Sequence, residues 1–259
     1  MFSVEHKLFL KKQKRLERLI LFTQLFIVFF FLILWQFLAD KNLINTFITS
    51  SPKMVLETIL KLIREDNLFY HIWVTIYETV ISFSCGTILG IVIASIMWWN
   101  PFIRKVMDPF LTVLNSLPKV ALGPIIIVWC GAQIKSIILM ALFISVIVMI
   151  MTVIESFENV DSNKLKLMQV LGAKKRQIFF MLVLPSSKKT IISALKICVS
   201  MSLIGVIMGE FLVSKAGVGY LIMYGSQVFN LNLVVTGIFI LAVLSWIMYS
   251  VIYHIEKRL

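Results

Sequence analysis

The stretch of sequence that decides the fold is IILMALFISVIVMIMTVI, residues 137–154, which contains no charged side chain. An uncharged run of this length predicts a helix that crosses a lipid bilayer, because the roughly 30 Å hydrocarbon core requires about 20 apolar residues. The rest of the chain shares this composition, since 59% of its 259 residues are hydrophobic and only 15% are charged. Soluble domains are about one quarter charged, so we predict an all-α membrane protein.

Five more apolar runs predict five more membrane-spanning helices, which gives six in total. They are residues 19–39, 72–100, 110–131, 190–211 and 231–253. A basic tail precedes the first run, so a cleaved signal peptide is the alternative there. Signal peptides have shorter apolar cores that end at small residues, whereas Trp35 and Phe37 stand where cleavage would occur. We therefore divide the chain into a basic cytoplasmic tail, residues 1–18, and a six-span transmembrane domain, residues 19–259.

The third of the six runs is the least regular, because Pro118, Lys119 and Pro124 interrupt it. Proline is tolerated in a membrane span where neighbouring helices satisfy the carbonyl groups that it leaves free. We therefore predict a broken or kinked span here rather than a loop.

The distribution of Lys and Arg predicts the orientation, because cytoplasmic segments carry an excess of these residues. If the N-terminus is cytoplasmic, only six of the 25 Lys and Arg fall outside and two fall within spans. Both termini are therefore predicted to be cytoplasmic. The net charge of +12 has the same explanation, so we predict no nucleic-acid partner. The six Lys and Arg residues predicted to lie outside are Lys41, Lys53, Lys61, Arg64, Lys135 and Lys215, and the two within spans are Lys119 and Lys196.

Residues that could carry catalysis or bind a metal are scattered along the chain. Cys85, Cys130 and Cys198 stand singly in apolar runs, and neither they nor the three histidines show metal-ligand spacing. The sequence also lacks a G-x-x-x-x-G-K-[ST] loop for the phosphates of ATP. We predict no catalytic residue, no metal site and no cofactor bound by this chain.

The segment between the first two spans predicts a short amphipathic helix. Ser51 suits the N-cap position and Pro52 suits the first helical position. The apolar residues that follow share one helical face, so we place this helix at the outer membrane face or against the bundle. A solvated linker is the alternative. The residues of the apolar face are Val55, Leu56, Ile59, Leu60 and Ile63.

The longest predicted cytoplasmic segment, residues 155–189, is charged but regularly patterned. Asp161 or Ser162 can cap a helix that ends near Leu171, and Gly172 can adopt the positive φ that terminates it. A second helix is predicted from about residue 174 to 184, where Pro185 would end it. The next two serines would then cap the fifth span. The result is a helix-turn-helix below the membrane, and ordering it is costly unless a partner docks on it.

This loop resembles the EAA loop of permeases in binding-protein-dependent ATP-binding-cassette importers. That motif reads E-A-A-x-x-x-G, then nine residues, then I-x-L-P. Here Gly172 is followed at the same spacing by Leu182, Leu184 and Pro185, but Lys166, Leu167 and Met168 occupy the E-A-A positions. Four stretches look closest to the branch that imports nitrate, sulfonates, taurine and thiamine-pyrimidine precursors. They are LGAKKRQIFFMLVLP (171–185), SSPKMVLETI (50–59), LPKVALGPIIIVWCGA (117–132) and GEFLVSKAGVGYLI (209–222).

The resemblance implies a permease subunit of the bacterial plasma membrane that is not itself an enzyme. In that family the short helix of the loop sits in a groove of a separate ATPase subunit. The expected partners are two ATP-binding-cassette ATPase subunits, which bind ATP and Mg²⁺, an extracytoplasmic binding protein that delivers a small solute, the lipid bilayer, and a second permease copy. The residues assigned to ATPase coupling are Lys166, Leu167, Met168, Leu171, Gly172, Ala173, Leu184 and Pro185.

Charged residues at membrane depth are costly and usually face a pore or a partner. We assign Glu210 to the translocation pathway or its outer gate, with a structural pairing as the alternative. The resemblance implies that the Gly217–Gly219 turn helps to form the outer mouth. The complete set for the pathway or gate is Pro118, Gly209, Glu210, Gly217 and Gly219.

Two other charged residues and two glycine pairs are given structural interpretations. Glu78 lies near the predicted outer interface and is expected to be solvated, and Lys196 is expected to be structural. The G-x-x-x-G spacing allows helix backbones to approach closely in membranes, and we expect close packing at both occurrences. These are Gly86 with Gly90 and Gly205 with Gly209.

An ion-coupled secondary carrier or channel is the main alternative function. Such proteins often contain inverted repeats or broken half-helices at matching positions, and this sequence shows no such internal symmetry. A membrane-embedded enzyme or scaffold would need a constellation such as H-E-x-x-H or paired carboxylates, and the sequence shows neither.

Overall fold

The computed structural model describes residues 4–258 of the chain. This range is built from helices joined by short connections. The α-helices are α1 (Val4–Asp40), α2 (Thr46–Thr49), α3 (Pro52–Glu65), α4 (Leu68–Trp99), α5 (Pro101–Ser116), α6 (Gly123–Cys130), α7 (Ile134–Glu158), α8 (Ser162–Val170), α9 (Lys175–Ile178), α10 (Leu184–Val213), α11 (Val218–Gln227) and α12 (Leu231–Arg258). A 3₁₀ helix covers Lys119–Leu122, and a π-helical turn covers Phe179–Val183.

Within the described range, five helical segments are long and apolar enough to cross a membrane. They are Arg15–Asp40, Leu68–Trp99, Ile134–Glu158, Lys175–Val213 and Leu231–Lys257. The apolar segment between the second and third of them is bent by 94°. Arg104, near its start, pairs with Glu158 at the end of α7. Gln133, just beyond its end, borders a cavity with Tyr70 and Val213, which lie at the other end of the bundle. The bent segment thus makes the sixth crossing, and the six-span all-α fold is confirmed.

The break in this third span lies where the sequence predicts it. Helix α5 ends at Ser116, and Pro118 directly precedes the 3₁₀ helix that leads into α6. Lys119 turns its ammonium group back onto Asn115, whose backbone and side-chain oxygens accept from Nζ at 3.1 Å and 3.0 Å. The ammonium group of Lys119 is therefore hydrogen-bonded within the break itself, to a residue four positions earlier in the chain.

The centre of the bundle is α7, which packs between α4 and α10. Both predicted glycine pairs face this helix, one from each side, so the prediction of close packing is confirmed. A Cβ added at Gly90 would lie 2.6 Å from the side chain of Met149, and one at Gly209 would lie 3.0 Å from Cα of Ile137. The facing pairs are Gly86 with Ser145, Gly90 with Met149, Gly205 with Ala141, and Gly209 with Ile137.

The predicted amphipathic helix is confirmed as α3 and packs against the bundle. The hydroxyl of Ser51 accepts from the backbone N–H of Met54 at 3.3 Å, which caps the helix at its start. Val55 and Leu62 are buried, and the helix contacts α12. The side chain of Gln36 accepts from the backbone N–H of Lys53 at 3.0 Å, so α3 also holds the end of α1.

Helix α1 stands apart from the rest of the bundle. The most apolar stretch of α1 has no buried residue, whereas 61% of the corresponding stretch of α7 is buried inside the protein. Its described part continues the span back through the predicted basic tail as one helix that begins at Val4. The first three residues of that tail lie outside the described residues.

The expectation that Pro185 ends a helix is wrong. Residues 175–213 form one continuous apolar helical segment, with Pro185 in the first turn of α10. The π-helical turn of residues 179–183 widens the backbone just before the proline, which accommodates its ring and its missing N–H. Nor does Ser187 cap the span, since its buried hydroxyl donates to the carbonyl oxygen of Ser156 at 3.1 Å.

The glycine contacts with α7 generate a stability prediction. Gly90→Val should lower the free energy of unfolding by about 1–3 kcal/mol, because the new side chain meets Met149 in a closely packed interface. Thermal unfolding of the detergent-solubilised protein measures this loss. Cys85→Val is the matched control on the exposed side of α4 and should change the free energy by no more than about 0.5 kcal/mol. Equal effects of the two substitutions would contradict the packing role of Gly90.

Candidate functional site

Two sets of candidate residues lie at opposite ends of the bundle. The first is the elbow, which we define as residues 161–178. The carboxylate of Asp161 caps α8 by accepting from the backbone N–H of Asn163 at 2.8 Å. The chain turns at Gly172, whose φ of +76° favours glycine. The N–H of Ala173 donates to the carbonyl of Met168 at 3.0 Å, which satisfies a carbonyl at the end of α8.

The elbow has one face against the bundle and one face away from it. Leu165, Met168 and Ala173 are half-buried and pack against the core between α4, α7 and α10. The opposite face carries three aliphatic side chains that are strongly exposed, namely Leu167 (59%), Val170 (85%) and Leu171 (71%). These three side chains form an exposed aliphatic surface outside the membrane-spanning segments.

The structure separates the predicted coupling residues into groups. Lys166, Leu167, Leu171 and Gly172 are exposed on the elbow, whereas Met168 and Ala173 face the bundle. Leu184 and Pro185 lie on α10 instead, where they border a cavity of about 360 Å³. Val170, the most exposed of the aliphatic residues on the elbow, is missing from the predicted set. Its spacing of three residues from Leu167 is the helical signal that would have found it.

The elbow is anchored to the spans at its second helix. The ammonium group of Lys175 donates to the backbone carbonyl of Trp99 at 2.7 Å, at the C-terminal end of α4, where a positive charge is favourable. The ring of Phe179 packs within 5.7 Å, between centroids, of the rings of Trp98, Trp99 and Phe157. The second helix of the elbow and the turn that follows it are therefore packed directly against α4 and α7.

The second set lies at the other end of the bundle, around the start of α11, and we call it the cap cluster. It consists of His71 and Thr75 on α4 and Glu210 on α10, which bind the first backbone N–H groups of α11. Gly217 N–H donates to Nδ1 of His71 at 3.0 Å, and Val218 N–H donates to Oγ1 of Thr75 at 2.9 Å. Gly219 N–H donates to Oε2 of Glu210 at 2.5 Å. Three elements of the bundle are thereby joined at one point.

The glycines of this turn are required by the carboxylate of Glu210. Gly217 has a φ of +111°, and a Cβ at this position would overlap the carboxylate. A Cβ at Gly219 would lie 2.7 Å from Oε2 of Glu210. The hydroxyl of Thr75 donates to Oε1 of Glu210 at 2.6 Å. Glu210, which is 1% exposed, is thus enclosed by groups that bind its oxygens.

Other predicted gate residues lie away from this cluster. Pro118 stands at the break between α5 and α6, and Gly209 faces Ile137 in the interface with α7. The structure therefore brings Glu210, Gly217 and Gly219 together and leaves the other two apart.

The expectation that Glu78 is solvated is wrong, because its side chain is completely buried. It lies one helical turn from Thr75, on the face of α4 that points into the bundle. Lys196 pairs with Glu256 at 2.5 Å, and its Nζ lies 5.2 Å from the ring centroid of Tyr253. The structural interpretation of Lys196 agrees with these contacts.

His71 and Thr75 were not among the residues selected from the sequence. They are four residues apart and belong to a polar series at helical spacing within an apolar span. This periodicity is the signal that could have identified them. The series is His71, Thr75, Glu78, Thr79 and Ser82.

The fold is that of a multi-span α-helical membrane protein. The sequence profile of the binding-protein-dependent transport system inner membrane component family matches residues 86–259. The chain belongs to this family, whose members are permease subunits of ATP-binding-cassette importers rather than known enzymes. It is a multi-pass inner membrane protein that works with an ATPase and a binding protein to import a small solute.

Relatives of this chain fall in the branch expected from the sequence. It is 27% identical to the putative aliphatic sulfonates transport permease protein of Bacillus subtilis, over 87% of this chain and 82% of that protein. It is 25% identical to the formylaminopyrimidine transport permease protein of Halalkalibacterium halodurans, over 88% of this chain and 90% of that protein. A similar fold is found in the crystal structure of a bacterial ABC transporter involved in the import of alginate. The TM-score is 0.66 and the sequence identity 14%, over 96% of this chain and 99% of that chain.

The cap cluster generates a prediction for Glu210→Gln. The carboxylate accepts hydrogen bonds on both oxygens, whereas an amide would present a donor to either Thr75 or Gly219. We expect uptake to fall roughly tenfold or more, in line with the loss of a charged hydrogen bond, while the ATPase still co-purifies. Uptake by proteoliposomes that contain the complete importer measures the effect. Glu65→Gln on the exposed side of α3 is the control, and normal uptake by Glu210→Gln would contradict a role for the cap cluster in transport.

Proposed function

We propose that this permease receives mechanical work from its ATPase through the exposed aliphatic face of the elbow, formed by Leu167, Val170 and Leu171. The observation that carries the proposal is the exposure of these three side chains on a segment outside the spans. Burying them in a groove of the partner would remove apolar area from water, at about 25 cal/mol per Å². Lys166 and Lys174, both exposed, would form part of a polar rim around this apolar centre.

The anchoring of the elbow supports this role. Lys175 and Phe179 bind the elbow to the end of α4 and to Phe157 of α7. A pull on α8 therefore moves packed helices rather than a loose loop. ATP and Mg²⁺ would bind to the partner, and this chain would supply the moving spans.

We further propose that the importer contains two copies of this permease and two ATPase subunits. Six spans are few for a solute pathway, and a two-fold pair gives twelve. Two-fold dimers are the commonest homo-oligomers among soluble proteins, and in such a pair one elbow per permease would meet one ATPase. The cap cluster at the other end of the bundle would position α11 at the outer gate, where the binding protein delivers the solute.

The proposed orientation has the elbow and both chain ends in the cytoplasm. It is supported by the excess of Lys and Arg on that side. It is also supported by the ion pair between Lys196 and Glu256, which brings the end of α12 to the part of α10 nearer the elbow. The solutes of the relatives, aliphatic sulfonates and formylaminopyrimidine, are the first ligands to screen against the cognate binding protein.

The docking proposal predicts that a charge in the aliphatic face uncouples the ATPase. Val170→Glu should weaken co-purification of the ATPase about tenfold or more, because an unpaired carboxylate would enter an apolar contact. The matched control is Gln169→Glu, which adds the same charge to the neighbouring exposed residue. Pull-down from solubilised membranes, with membrane insertion checked separately, measures the effect. Equal binding by Val170→Glu and the unchanged protein would refute the docking face.

The orientation predicts the accessibility of single cysteines to a membrane-impermeant maleimide. In a chain with Cys85, Cys130 and Cys198 replaced by alanine, Lys174→Cys should react only after the cells are permeabilised. Lys53→Cys, on the exposed side of α3, should react in intact cells. Reaction of Lys174→Cys in intact cells would reverse the orientation and remove the elbow from the ATPase.

A further inference from the structure

Glu78 is the least compensated polar side chain in the described part of the molecule. It is fully buried, and neither of its carboxyl oxygens has a hydrogen-bond donor among the described residues. A buried carboxylate without a donor or a cation is very costly, because the charged form loses its hydration. Its surroundings must therefore remove that cost in another way.

The carboxyl of Glu210 reaches α4 at Thr75, one helical turn from Glu78 on the same buried face, which brings the two buried carboxyl groups to the same part of the bundle. The ion pairs found among the described residues include neither of these two glutamates. The nearby His71 does not supply a positive charge, because its Nδ1 accepts the N–H of Gly217 and is therefore unprotonated. Two ionised carboxylates side by side would repel each other, so the pair must hold a proton.

The hydrogen bonds of Glu210 decide which carboxyl carries that proton. Oε1 accepts from the hydroxyl of Thr75 and Oε2 accepts from the N–H of Gly219. The Thr75 oxygen itself accepts from the N–H of Val218. Its one proton faces two acceptors, Oε1 of Glu210 at 2.6 Å and the carbonyl oxygen of His71 at 3.3 Å, and the shorter contact directs it to Glu210. Both oxygens of Glu210 therefore act as acceptors, as those of an ionised carboxylate do.

We propose that Glu78 is a neutral carboxylic acid that donates its proton in a hydrogen bond to the ionised Glu210. Such a charge-assisted O–H···O⁻ bond is short and strong. It satisfies the donor side of Glu78 and gives Glu210 a third donor, besides those from Thr75 and Gly219. Glu78 is thus a positioning residue, which acts on the start of α11 through Glu210. This inference deepens the proposed gate role of the cap cluster, and its transport test rests on that role.

Donor and acceptor requirements predict an asymmetry between the two glutamates. In Glu78→Gln the amide N–H₂ replaces the acid O–H as donor, so uptake by the reconstituted importer should stay within about twofold of the unchanged protein. Glu78→Leu has no donor, and uptake should fall roughly tenfold or more. Glu210→Gln should resemble Glu78→Leu, because both oxygens of Glu210 accept hydrogen bonds and an amide has only one acceptor oxygen. Loss of uptake in Glu78→Gln equal to that in Glu78→Leu would show an ionised Glu78 and overturn the proposal.

Infrared spectroscopy of the purified importer tests the protonation directly and independently of transport. The unchanged protein should show a carbonyl band of a buried protonated carboxylic acid. The band should disappear in Glu78→Gln and persist in Glu65→Gln, which alters an exposed carboxylate. Persistence of the band in Glu78→Gln overturns the proposal. If the band disappears while uptake is normal in Glu78→Leu and Glu210→Gln, the proton assignment stands and the gate role of the cluster fails.

Discussion

Close approach of three helix backbones is the constraint on which the rest of the structure depends. Helix α7 lies between α4 and α10, and glycines on both neighbours face it where any side chain would collide. In a bilayer the lipid tails are as apolar as the helices, so association depends on van der Waals packing at such small residues. The three helices therefore form one block.

Both candidate sites take their geometry from this block. At one end the aromatic group around Phe179 holds the elbow against α4 and α7. At the other end α4 and α10 supply Thr75 and Glu210 to the first N–H groups of α11. A rigid centre with the proposed docking surface at one end and an ordered helix terminus at the other is suited to transmit movement across the membrane. It also explains why Thr75 and Glu210 are tolerated at membrane depth, since each is bound by another element.

The agreement between prediction and structure follows the range of the interactions involved. The spans, the break at Pro118 and the capping of α3 by Ser51 depend on neighbouring residues, and the sequence predicted each of them. The continuation of the helix through Pro185 was missed, because a π-helical turn absorbs the proline and leaves no distinct sequence signal. The burial of Glu78 was also missed, since its depth along the span does not reveal which way the side chain faces.

The amino-acid sequence by itself determined the class of protein and the number of spans, because bilayer thickness translates directly into the length of apolar runs. The family was indicated by the resemblance of the loop around Gly172 to that of known permeases. The sequence also contained the glycines that allow close packing. Only the tertiary structure decided that Thr75 and Glu210 meet, although they are far apart in the chain, that Glu78 is buried, and that Leu167, Val170 and Leu171 are left exposed. Such pairings depend on how whole helices rotate and stack against α7, and no local pattern encodes that rotation.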